Sequence, residues 1–78
     1  MLTGDQIRMA RHGLRWSVQN LAAQSKVSVS TIKRMELEIG VPATSAKNLM
    51  AVQNIFEAAG IEFIGSPSDG PGIRIHRP

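Results

Sequence analysis

Apolar residues recur at helical spacing in four stretches of this chain. Ile7, Ala10 and Leu14 make the first stripe, with Arg8, Arg11 and Arg15 beside or opposite it. Val18, Leu21 and Ala22 supply the buried side of a short second helix. In the third, Ile32, Met35 and Ile39 are expected to face inward, while Val29, Ser30, Lys33 and Leu37 share a different face. Leu49, Val52, Phe56 and Ala59 form the fourth stripe, and Met50, Ala51 and Ile55 leave apolar surface on a second side of that helix.

Local signals set the boundaries. Thr3-Gly4-Asp5-Gln6 is a capping box, in which the Thr3 hydroxyl accepts from a backbone amide and Gln6 reaches back. Leu2 and Ile7 are placed to staple the same end, and Gly13 weakens the other, which predicts helix one over about residues 4–12. Ser17 is the next cap, with Trp16 before it and Leu21 placed to staple. That helix runs to about Ser25, because Lys26-Val27-Ser28 brings a new cap and starts the third. After Gly40-Val41-Pro42, Thr44 or Ser45 caps the fourth helix. Gly60 ends it, in the pattern of a Schellman cap with Ile61 packed on Phe56.

Periodicity changes after Gly60. Ile61-Glu62-Phe63-Ile64 and Ile73-Arg74-Ile75-His76 are β-branched runs with partial alternation, separated by the Gly/Pro/Ser-rich segment 65–72. They are expected to pair as a hairpin, with Glu62 and Arg74 available for a cross-strand contact. A lone two-stranded ribbon is marginal in water, so it packs on the fourth helix or pairs with another chain; a disordered tail is the alternative. The chain thus divides into a helical unit, residues 1–60, and a β extension, residues 61–78, which is a candidate dimerisation element.

Charge adds a direction. Between Gln6 and Met35 lie Arg8, Arg11, Arg15, Lys26, Lys33 and Arg34 and no acidic residue, so the net charge of +3 hides a basic half. A one-sided basic face is the footprint of a phosphate-binding surface, although a solvated face with no ligand has the same composition. With 78 residues there is room for one small core, and the absence of cysteine removes disulfides and thiolate chemistry. No stretch reads as a membrane span or secretion signal, so a cytoplasmic protein without membrane attachment is expected. His12 and His76 are too few and too far apart for a metal site, and no catalytic triad or carboxylate pair stands out. The expectation is a non-enzyme without metal or cofactor. Trp16 reads as a core or staple residue rather than a stacking platform, because the three aromatic residues are not interleaved with the basic cluster.

Two short helices joined by about three residues, the second exposing polar and basic side chains, make a helix-turn-helix arrangement. Leu21-Ala22, Val27-Ser28, Ile32 and Glu36, within the run from Ser17 to Glu36, resemble the helix-turn-helix of the Cro/phage-repressor (XRE) family. The resemblance covers about residues 5–55. It implies a mostly α, compact four- to five-helix lambda-repressor-like domain, here with a short C-terminal β-strand or hairpin. It also implies that Arg11 and Glu36 form a structural ion pair, which takes Arg11 out of the set of phosphate binders. Two positions depart from the family pattern. Lys26 stands where Gly is common, so a non-Gly residue is expected to take up a left-handed conformation; Val18 stands where a polar Gln is common, leaving contacts there to Gln19. The close Gly70-Pro71-Gly72-Ile73-Arg74-Ile75 is similar, more loosely, to the end of many small bacterial regulators of this family.

A helix entering the major groove by its N-terminal end offers its first turn and the next groove-facing turn to base edges. That selects Val29, Ser30, Lys33 and Arg34 as candidate base contacts: Val29 for a thymine methyl, Ser30 for a donor or acceptor, Lys33 for guanine acceptors. Arg34 is equally suited to a phosphate, and the plain alternative makes Ser30 and Thr31 simple helix-start residues and Lys33 solvated. Candidate phosphate contacts are Arg15, Ser17, Gln19, Thr31, Thr44 and Lys47. The expected function is a sequence-specific double-stranded DNA-binding regulator, acting as a homodimer repressor on an inverted repeat. An antitoxin that binds a protein partner and autoregulates is the alternative from another class. A sequence-blind architectural binder is the third reading, and it would show steep salt dependence with little site preference.

Overall fold

In the computed structural model, which describes residues 2–77, four helices are followed by one antiparallel hairpin: α1 Gly4–Gly13, α2 Val18–Ser25, α3 Val29–Leu37, α4 Ala46–Ala58, β1 Ile61–Ser66 and β2 Asp69–Ile75. Each helix begins at a hydroxyl cap that accepts the amide of the residue three further on: Thr3, Ser17, Ser28 and Ser45. At Thr3 and Ser17 the residue at that third position, Gln6 or Asn20, bonds back to complete a capping box. The box at Ser17 has Asn20 in the role usually filled by Glu or Gln.

The core gathers Ile7 and Ala10 of α1, Leu21 of α2, Ile32 and Met35 of α3, and Val52 and Phe56 of α4, all within 1 % of full burial. Phe56 lies at its centre. Trp16 stacks on it at 5.7 Å between ring centroids and Phe63 meets it edge-on at 6.1 Å, so the one tryptophan is a packing residue joining the α1–α2 corner to α4, and Phe56 in turn meets β1.

The third stripe is shorter than its spacing suggested. Ile39, expected inward, is 75 % exposed, because α3 ends at Leu37 and Glu38 turns to extended backbone (φ −84°, ψ 135°), which breaks the helical register. Close packing enforces the break. The Gly4 amide donates to the Gly40 carbonyl at 2.8 Å, and a Cβ on Gly4 would overlap the carbonyl oxygens of Glu38 and Met35. Ala59 is only half-buried, serving as the last capping residue of α4, and Gly60 (φ 96°) follows with its amide bonded to Glu57 at 3.1 Å.

The hairpin packs on the helical unit. Its register pairs Ile61 with Ile75, Glu62 with Arg74 and Phe63 with Ile73, with a bulge between Ile64 and Ser66 at Gly65 (φ 77°). Ile61 is fully buried, and Phe63, Ile73 and Ile75 extend the core. Gln6 adds a polar tether: its Nε2 donates to the carbonyls of Ile64 and Gly72, 3.0 Å each. One glutamine therefore closes the N-cap of α1 and fastens both strands to it. Among the described residues no helix is long and apolar enough to cross a membrane.

Candidate nucleic-acid interface

The turn Lys26-Val27-Ser28 sets the geometry between α2 and α3. Lys26 has φ 63° and ψ 17°, the left-handed conformation its position demands, at a cost of about 1 to 2 kcal/mol relative to glycine. Val27 is buried beneath the turn and its amide donates to Ser25 Oγ at 3.2 Å. A second left-handed residue, Arg15 (φ 59°), shapes the corner between α1 and α2, with no glycine or asparagine there to signal it.

The inner edge of α3 is fixed by a charged clamp. Arg11 Nε donates to Glu36 Oε2 at 2.7 Å and Arg11 Nη2 to Glu36 Oε1 at 2.8 Å, a two-pronged pair whose side chains are 14 % and 10 % exposed. The Glu36 hydrogen bond raises the Arg11 pKa further, against the opposing effect of burial. Arg11 also donates to the Trp16 carbonyl at 3.1 Å, and Arg8 to the Glu36 carbonyl at 2.6 Å while pairing with Asp5. Two of the six basic residues between Gln6 and Met35 are thus spent on internal structure, which leaves Arg15, Lys26, Lys33 and Arg34, all exposed. The Asp5 pairing is legible as an i,i+3 spacing, whereas nothing in the sequence signals the bond from Arg8 to the Glu36 carbonyl.

The outer face of α3 carries the four candidate base contacts. Ser30, Lys33 and Arg34 are exposed and Val29 half-buried. Ser28 Oγ, Ser30 Oγ and Thr31 Oγ1 form a hydroxyl cluster at the start of the helix, and Arg34 Nη2 donates to Thr31 Oγ1 at 3.3 Å. Depressions flank this ridge on both sides. One, of about 380 Å³, is lined by Thr31, Arg34, Pro42 and Thr44 among others; the second, of about 520 Å³, by Arg8, Arg11, Val18, Lys33, Glu36 and Leu37.

The structure therefore brings Thr31, Arg34 and Thr44 to one wall and Lys33 with Val18 to the other. Ser17 and Gln19 are exposed at the start of α2, two residues beyond Arg15, and Lys47 is exposed in the first turn of α4. Leu37, 80 % exposed at the end of the outer stripe, is an apolar wall among cations that the residue-type argument passed over. Among the described residues no group of three His, Asp or Glu side chains is placed to hold a metal ion. No family model matches the chain, and neither a curated protein nor a solved structure does.

Proposed function

We propose that this chain is a lambda-repressor-like helix-turn-helix protein of the XRE type, a cytoplasmic transcriptional repressor that reads double-stranded DNA as a homodimer. One observation carries the reading: the outer stripe of α3 stands exposed and basic between two depressions, while its inner edge is clamped by Arg11 and Glu36. A ridge of that shape suits the major groove, with the flanking depressions receiving the two sugar-phosphate walls.

On this reading Ser30, Lys33, Arg34 and Val29 meet base edges, each good contact contributing about 1 to 3 kcal/mol of discrimination. Arg15, Ser17, Gln19, Thr31, Thr44 and Lys47 hold phosphates and set the register. The decisive experiment is selection of sites from random duplex DNA at near-physiological salt, read by sequencing. An inverted repeat with half-sites about one helical turn apart is the expected product; a pool that stays unenriched sinks the sequence-specific reading.

A second reading has an observation of its own. Leu37 at the end of α3, and Ile39 and Val41 in the segment that follows it, are exposed apolar side chains, the first two at 80 % and 75 %. Clustered exposed apolar side chains mark interaction surfaces. An antitoxin that covers a partner protein there, and binds its own operator, accounts for that surface. Co-purification of a second small protein with the native chain distinguishes it from a homodimer acting alone.

A further inference from the structure

The hairpin delivers a cation to the corner between α1 and α2. Alternation along β2 turns Ile73 and Ile75 toward α1, where a Cβ on Gly13 would lie 2.8 Å from Ile75 Cδ1 and 3.7 Å from Ile73 Cδ1. Arg77 lies two residues beyond the end of β2, and its Nη2 reaches the Gly13 carbonyl at 3.5 Å. Gly13 ends α1, and the exposed Arg15 follows within about 7.6 Å along the backbone. Ser17, the cap of α2, comes two residues later.

The other basic side chains nearby are occupied. Arg11 is clamped to Glu36, while Arg74 and His76, on the opposite side of the strand, meet Glu62 at 3.5 and 2.7 Å. Among the described residues no Asp or Glu pairs with Arg15 or Arg77. A helix-capping role uses little of Arg77, because 3.5 Å is at the long limit of a hydrogen bond and a guanidinium has five donors. What is left is two exposed guanidinium groups at one corner, beside the amide-rich start of α2, a combination suited to phosphate oxygens.

We infer that Arg77, with Arg15, grips the DNA backbone outside the major groove, so that the hairpin is a second phosphate anchor. The inference rests on the DNA-binding reading above and adds a contact that lies beyond the helical unit. A backbone anchor strengthens binding to every duplex alike and carries no base preference.

The test uses the full chain with Arg77→Ala and Arg77→Gln, the second of which keeps a donor for the Gly13 carbonyl. Binding to two short duplexes of unrelated sequence is measured by fluorescence anisotropy between about 50 and 200 mM salt. Both variants should bind both duplexes more weakly by the same factor, with the slope of log K against log salt shallower by about 0.9. The defect should then be about threefold larger at the low-salt end than at the high-salt end. An unchanged slope overturns the inference, as does wild-type binding by Arg77→Gln alongside weakened Arg77→Ala, which would make Arg77 a cap on α1. Wild-type chain that binds neither duplex at any salt overturns the DNA-binding reading itself, and is distinct from both results.

Discussion

Glu36 and Glu62 each accept hydrogen bonds from a cation on a neighbouring element, yet their surroundings give them different tasks. Glu36 pairs with Arg11 in a nearly closed site where both oxygens are used, and the clamp sets how α3 sits on α1. Glu62 lies on the open face of the hairpin, where it meets Arg74 and His76 in side chains that are about half to two-thirds exposed. Water and salt compete freely for the second group and poorly for the first. Position in the fold, and not the chemistry of the pair, decides which one organises the molecule.

The largest effect is expected at the clamp. Glu36→Ala leaves the Arg11 guanidinium mostly buried without its partner, and should cost about 2 to 4 kcal/mol in urea unfolding. A loss below about 0.5 kcal/mol, the level of a surface pair, would erase the contrast. Gln6→Ala should come next, at about 1 to 3 kcal/mol, because it removes a capping partner and the two amide contacts that hold the hairpin. Hydrogen exchange should show the amides of Ile73 and Ile75 opening faster; unchanged protection would mean that the apolar contacts suffice.

The smallest effect belongs to Glu62. Its carboxyl pKa is lowered, first by the His76 hydrogen bond and then by the charge of Arg74. A carboxyl whose folded pKa lies below its unfolded one stabilises the fold above the ordinary carboxylate range, and that contribution is lost as the pH falls through the folded value. Glu62→Gln should therefore flatten the acid limb of the stability curve slightly, and the difference should shrink in high salt. A thermal-unfolding series across acid pH in which the variant falls off as steeply as wild type would show that the exposed pair contributes nothing.

Much of the helical unit is legible in the sequence because its signals are local. Thr3 with Gln6, and Ser17, Ser28 and Ser45, announce helix starts through bonds spanning three residues. The left-handed backbone at Lys26 is foreseeable from the family resemblance, in which Gly is common at that position, whereas the same conformation at Arg15 has no such signal. Ile39 falls outside α3 although it fits the periodicity, because periodicity alone extends a stripe until something breaks it. The break is set by a backbone contact between Gly4 and Gly40, 36 positions apart in sequence.

The candidate site divides in the same way. Spacing along one helix is enough to put Val29, Ser30, Lys33 and Leu37 on one face, since 3.6 residues per turn is a property of the chain itself; only the structure sets Arg34 on the wall opposite Lys33. Which cations stay free for a ligand depends largely on a partner distant in sequence: the Glu36 carboxylate withdraws Arg11, and its carbonyl, together with the neighbouring Asp5 three residues before, withdraws Arg8.

By itself, then, the sequence determined four capped amphipathic helices and a basic stripe, because each rests on interactions within a few residues, and it offered two β-branched runs able to pair. Only the tertiary structure decided that Gln6 ties the hairpin to α1, that α3 stops at Leu37, and that Arg77 stands at the corner where α1 ends. Those contacts join residues far apart along the chain, and their pairing is fixed by how the whole core packs.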